Sequence, residues 1–194
     1  MSGLTKFFVA TAGAALLNVG TAAQAATIDT TTGWLGGGYT FGAGRYGQVF
    51  TVPSDNVLDS FTFFLSSEGS PPTEFTSRLA SWEPITFESG TDIYSSASQS
   101  VAGLPPYTGT PSGYSEITFN TGGIPLVTGQ QYVAYLNGES EGLGAIGYNF
   151  NQDSYSEGYG LFYNIPQGFW YTAGSTLDYA FKASFSPAPN CLNK

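Results

Sequence analysis

Val57-Leu58-Asp59-Ser60-Phe61-Thr62-Phe63-Phe64-Leu65 sets Phe61, Phe63 and Leu65 on one side of an extended chain, and Ser60, Thr62 and Phe64 on the other. A period of two marks a strand with one face on a core. Only Phe64 departs from it, and it is expected at a rim. The alternation recurs in Ser115-Ile117-Phe119 against Glu116-Thr118-Asn120, and in Leu177-Tyr179-Phe181-Ala183-Phe185 against Asp178-Ala180-Lys182-Ser184. Residues 46–52 and 130–137 are partly apolar on both faces, which suits inner strands of a sandwich. Weaker strand patterns cover residues 76–83, 91–95, 144–150 and 160–164.

Pro53-Ser54-Asp55-Asn56, Asn120-Thr121-Gly122-Gly123 and Val127-Thr128-Gly129-Gln130 place Gly, Pro or Asx between these runs and read as chain reversals. Gly, Ser, Thr and aromatic residues are frequent, while Leu, Lys and Glu are too sparse for long amphipathic helices. The expected fold is all-β: a single antiparallel β-sandwich, jelly-roll-like, over residues 26–186. Residues 96–113, rich in Ser, Gly and Pro, are expected to form a long surface loop. Residues 187–194, with Pro187 and Pro189, read as an extended tail.

Residues 1–25 read as a signal peptide. One cation, Lys6, precedes an apolar run from Phe7 to Val19 that is too short to span a bilayer, and Ala23-Gln24-Ala25 gives the small-x-small cleavage pattern. The mature chain is expected to start at Ala26 and to work secreted or extracellularly, the periplasm and cell surface included. No transmembrane segment is expected in it.

The mature part, about 170 residues, is enough for one core. Its cations Arg45, Arg78, Lys182 and Lys194 stand against fourteen carboxylates, and the full chain, Lys6 included, has a net charge of −9, so phosphate backbones are repelled and no nucleic-acid partner is expected. Cys191 is the single cysteine, which excludes a disulfide framework and is expected as an exposed thiol in the tail. The absence of histidine removes Ser-His-Asp and Cys-His catalysis and the usual His-containing zinc sites. Gly36-Gly37-Gly38 has no helical pattern after it that could present a phosphate site.

Gly47-Gln48-Val49-Phe50-Thr51-Val52-Pro53 followed by Val57-Leu58-Asp59-Ser60-Phe61, Ile117-Thr118-Phe119 with Leu126-Val127-Thr128-Gly129-Gln130-Gln131-Tyr132-Val133, and Asp178-Tyr179-Ala180-Phe181-Lys182 together span most of the mature chain. In these segments the chain resembles the exported PEP-CTERM β-sandwich proteins of cyanobacteria and proteobacteria. The resemblance implies association with extracellular polysaccharide or the cell surface, and brings no catalytic residues with it. At the expected sorting tail this chain has Ser186-Pro187-Ala188-Pro189, without the Pro-Glu-Pro glutamate and without a following hydrophobic helix. The family's membrane retention therefore does not carry over.

Three constellations could carry chemistry. The segment from Tyr148 to Tyr171 mixes Phe150, Tyr155, Tyr159, Phe162, Tyr163, Phe169 and Trp170 with Asn, Asp, Glu and Gln, a composition suited to stacking on sugar rings while the polar groups take hydroxyls. Trp82, Tyr159, Tyr163 and Trp170 are the candidate glycan residues, with Trp34 as a further contributor. The same aromatics could instead fill a core, and exposure decides between the two. Asn149, Asn151, Asp153 and Glu157 are hard oxygen donors that could hold calcium, although they lack the EF-hand glycine and distant glutamate. No other cofactor is implied. Glu139 with Glu141, and Glu83 with Glu88, are carboxylate pairs of the kind glycosidases use, or solvated acidic turns.

The leading expectation is an exported, non-catalytic surface or extracellular-matrix protein of the PEP-CTERM type, with extracellular polysaccharide as partner. The alternatives are a carbohydrate-binding module with an aromatic face and, third, a carboxylate-dependent glycan hydrolase or lyase.

Overall fold

The computed structural model describes residues 25–37, 44–67, 74–138, 145–146, 153–174 and 177–189. Its strands are β1 (Ala26–Asp29), β2 (Arg45–Thr51), β3 (Val57–Ser66), β4 (Glu74–Glu83), β5 (Glu88–Ser95), β6 (Gln99–Ser100), β7 (Ser115–Pro125), β8 (Gln131–Gly138), β9 (Ala145–Ile146), β10 (Tyr159–Asn164), β11 (Phe169–Thr172) and β12 (Phe181–Ser186). Among the described residues there is no α-helix, only a turn of 3-10 helix at Pro111–Gly113.

The strands form two antiparallel sheets. One has the order β1-β12-β3-β7 with β9 against β3, and the other β11-β10-β2-β8-β4-β5 with β6 against β4. From β2 to β3 to β4, and again from β7 to β8, the chain crosses between sheets, so strands adjacent in sequence face one another over the core instead of pairing. The fold is the expected all-β antiparallel sandwich.

Phe61, Phe63 and Leu65 fill the space between the sheets with Phe50, Leu79, Leu136, Phe181 and Phe185. Phe181 is the hub of the packing, its ring centroid 5.2 Å from Phe63, 5.9 Å from Phe50 and 6.5 Å from Phe61. Each fully buried ring of this kind contributes about 1.5–3 kcal/mol over its exposed state.

Three expectations need correction. Phe64 is not at a rim: it is buried with Tyr114 and Ala180, beneath Trp34 and Tyr107, because the loop after β6 folds back over the outer face of β3. Asn120-Thr121-Gly122-Gly123 is not a reversal but lies inside β7. The register runs from Ser60↔Asn120 to Leu58↔Ile124, leaving residues 121–123 opposite Asp59, and Gly122 (φ 77°) and Gly123 (φ 83°) take the left-handed conformations this bulge needs. Third, β12 begins only at Phe181, since Asp178 and the Tyr179 amide turn inward to bond Gln48.

Candidate functional site

The seven-stranded sheet is apolar on both faces. Tyr46, Phe50, Ala134 and Leu136 point into the sandwich, while Val49, Ala80, Trp82, Val133, Tyr135, Leu161 and Trp170 form a second buried cluster on the opposite face. The alternation of β2 and β8 produces both sets. Gly47 shares the outer face, and a Cβ there would stand 2.8 Å from Tyr135 Cβ and 2.8 Å from Val133 Cγ2, so that position accepts no side chain without displacing its neighbours.

Trp82 on β4 and Trp170 on β11 meet edge to face at 6.1 Å. Their strands lie four steps apart in the sheet order, about 19 Å at the usual strand spacing. Side chains leaning toward each other from a flat sheet would not close that gap, so the sheet curls and this face is concave. The indoles fill the hollow. Trp170 also packs 5.4 Å from Tyr135 and 5.3 Å from Tyr163, and Trp82 Nε1 donates to Tyr159 Oη at 2.8 Å. Arg45 sits 4.6 Å over the Tyr163 ring while its Nε donates to Asn137 Oδ1 at 2.8 Å.

The structure therefore brings together all four aromatic residues singled out in the sequence, but as packing partners and not as an open platform. Trp82 and Trp170 are each 5% exposed, and Tyr159 and Tyr163 are half-buried. Trp34 lies elsewhere, edge to face with Phe64 of the other sheet at 5.1 Å.

One end of this cluster opens to solvent. A cleft of about 610 Å³ is lined by Trp82 with Ser81, Glu83, Thr86, Glu88, Ser89, Gly90, Gln130 and Gln131. It lies between the β4–β5 hairpin and the start of β8, where Trp82 pairs with Ser89 and Glu83 with Glu88. Phe87, in a left-handed conformation at φ 56°, closes the hairpin through its amide bond to the Glu83 carbonyl and sets its ring edge on to Trp82 at 5.9 Å. Acceptors, donors and one aromatic residue thus line a hollow of small-ligand size. Both carboxylates are exposed, and Glu83 Oε1 accepts the Ile85 amide at 3.1 Å, tying it to the turn.

The sequence reading identified Trp82, Glu83 and Glu88 but not the rest of the wall. Ser81, Ser89, Gln130 and Gln131 are ordinary polar strand and turn residues, and only a correct hairpin pairing across residues 84–87 would have brought them to one place.

Beside the hollow, Asp92 joins three strands. It accepts Arg78 Nη1 at 2.7 Å on one oxygen and Tyr135 Oη at 2.6 Å on the other. Burial, then the bond to Asp92, pushes the Tyr135 phenol well above its ordinary pKa, and the same carboxylate raises that of Arg78.

Of the calcium candidates, Asn149 and Asn151 lie outside the described residues, as do Glu139, Glu141 and Cys191. Asp153 and Glu157 are exposed, and the Glu157 carbonyl is occupied by Thr51 Oγ1 at 2.8 Å. Among the described residues no three acidic, His or Cys side chains gather as a metal site.

No family model matches the sequence, and no curated protein matches it. The fold is similar to solved structures of Cwp84. The crystal structure of the cysteine protease and lectin-like domains of this surface layer associated protein of Clostridium difficile matches with a TM-score of 0.47 and 16% identity, over 74% of this chain and 32% of that one. A structure of the clostridial cysteine protease Cwp84 after propeptide cleavage matches with a TM-score of 0.45 and 18% identity, over 74% of this chain and 36% of that one. The chain thus spans about a third of the length of these neighbours. Likeness of this degree bears on neither ligand nor chemistry. Among the described residues no helix is long and apolar enough to cross a membrane.

Proposed function

We propose that this protein is an exported, non-catalytic surface or matrix protein of the PEP-CTERM type that holds carbohydrate, with the cleft between the β4–β5 hairpin and β8 as its site. The observation that carries this reading is the lining of that cleft: hydroxyls, amides and carboxylates of both strands around a tryptophan fixed from behind by Tyr159 and Trp170. Polar side chains gathered in this way suit a hydroxyl-rich ligand, with Trp82, itself 5% exposed, as the packed floor of the cleft and not as an open stacking face.

The paired Glu83 and Glu88 favour a second reading, glycan hydrolysis. Against it, both carboxylates are exposed, and a general acid in such a pair is normally held protonated by burial or by a close like charge. Screening the full chain on a glycan array with and without calcium tests binding. Ser89→Trp, which fills the cleft from a half-buried rim position, is expected to weaken any hit by about tenfold or more, the equivalent of about 1.4 kcal/mol. Silence across the array, or binding unchanged by Ser89→Trp, would refute the site. Release of reducing sugar ends would refute the non-catalytic part.

A further inference from the structure

We propose that the open edge of β11 is a self-association surface, on which a second copy of this chain adds its own β11 antiparallel about a two-fold axis. Among the described residues β11 pairs only with β10 and ends the seven-stranded sheet. The Ala173 amide donates to the Gly160 carbonyl at 2.9 Å, and this fixes the alternation of the ladder. Phe169, Tyr171 and Ala173 direct their backbone groups to β10, while those of Trp170 and Thr172 point to the unpaired side.

Charge selects this edge over the others. With a net charge of −9, two copies repel over most of their surfaces. The other edge strands of more than two residues carry carboxylates: Asp29 on β1, Glu116 on β7, and Glu88 and Asp92 on β5. Residues 161–174 contain no charged side chain at all. Nor does β11 contain the proline, lysine or bulge by which open edges are ordinarily kept apart.

The side chains are already arranged for a partner. On the face opposite Trp170, Phe162 stacks on Tyr171 at 5.3 Å and Phe169 packs tilted against Tyr171 at 4.4 Å, a continuous row of rings. Tyr171 is held further by its hydroxyl bond to Gln167 Oε1, and Phe169 at the end of the row is 47% exposed. Side chains braced in this way lose little freedom on association.

A two-fold axis at Tyr171 lets Trp170 of each copy exchange amide and carbonyl with Thr172 of the other. It also places the two Tyr171 rings in the non-hydrogen-bonded pair, where cross-strand side chains lie closest. The contact uses the same strand on both copies and so closes at a dimer instead of growing into a fibre.

Sedimentation velocity on the full-length chain tests the proposal. The wild type is expected to move from monomer to dimer as concentration rises to about 100 µM. Thr172→Pro removes an outward amide without touching the β10 ladder, and Phe169→Lys adds a charge at an exposed position. Each is expected to raise the concentration of half-association by about tenfold or more, with the β-sheet circular dichroism unchanged. If Thr172→Pro does not fold, Phe169→Lys decides alone. A wild type that stays monomeric at about 100 µM, or folded variants that associate as the wild type does, would overturn the proposal. Ser89→Trp lies in the cleft and is expected to leave association unchanged, so failure of the glycan site is read separately.

Discussion

Truncating Asp178 to alanine removes a carboxylate that is 1% exposed and that accepts hydrogen bonds from Gln48 Nε2 (2.7 Å), the Tyr155 amide (2.9 Å), the Ser154 amide (3.0 Å) and the Ser154 hydroxyl (3.2 Å). Gln48 cannot turn away, because its Oε1 holds the Tyr179 amide at 2.9 Å. The Ser154 hydroxyl keeps an acceptor in the Thr30 carbonyl at 3.0 Å and Gln48 Nε2 keeps the Val49 carbonyl at 3.2 Å for one of its two hydrogens, so the other Gln48 N–H and the two loop amides are stranded. Each stranded buried donor costs about 1–3 kcal/mol, with the two loop amides at the low end because residues 154 and 155 are half-buried and can reach water. The expected loss is about 3–5 kcal/mol, or about 6–20 °C in melting temperature for a domain of this size. Scanning calorimetry of the wild type, Asp178→Ala and Asp178→Asn measures it, with the asparagine variant intermediate because one side of its amide must face a donor. A loss below about 1 kcal/mol for Asp178→Ala would refute the view that this carboxylate tethers residues 153–158 to β2. The pH dependence has a definite sign. Burial raises the Asp178 pKa above the ordinary 3.8 despite the donors around it, and its protonated form has an acceptor in Ser154 Oγ. Its stabilising contribution is thus full below pH 3.8 and declines as pH rises through the raised value. The gap between wild type and Asp178→Asn is expected to be widest in acid, and a gap that widens toward neutral pH would contradict the reasoning.

Gly47→Ala places a methyl group 2.8 Å from Tyr135 Cβ and Val133 Cγ2 and is expected to cost about 1–3 kcal/mol in urea unfolding. Tyr159→Phe strands the Trp82 indole N–H, with an expected loss of about 1–2 kcal/mol and a weakening of any glycan bound in the cleft. A stability loss with glycan affinity unchanged would show that the held indole is not part of the binding wall. Burial pushes the Tyr155 phenol up to about 12 from 10.0, so its contribution, intact below pH 10, is lost as pH rises through about 12. Tyr155→Phe should flatten alkaline unfolding in that window, followed by tyrosinate absorbance.

The strands between the two sheets were legible because a two-residue period survives wherever one face must be apolar. Phe61, Phe63, Phe119, Phe181 and Phe185 all lie where the alternation put them. The double apolar pattern of β2 and β8 was also legible, but its cause was not. Val49 and Val133 point away from the sandwich core into a second cluster that exists only because the sheet curls. Gly122-Gly123 misled because a positive φ serves a bulge as well as a reversal, and pairing with Leu58 and Ser60 decides which. β1 and β11, at four residues each, are too short for a period to register. The cleft was the least legible feature, since it is made by cross-strand neighbours whose residue types are unremarkable.

The aromatic segment ending at Tyr171 illustrates why composition could not separate a binding face from a core. Strand alternation sends Tyr163 and Trp170 to the concave face, where they support Trp82, and sends Phe162, Phe169 and Tyr171 to the opposite one at the sheet edge. One run of sequence therefore serves two surfaces. Because Trp82 and Trp170 come from strands four apart, their contact also holds the curl of the sheet, so a change at either indole reaches both stability and the shape of the cleft. Ser89 and Gln131 line the cleft without belonging to the aromatic cluster. Substitutions there separate ligand recognition from folding in a way that no substitution of the tryptophans can.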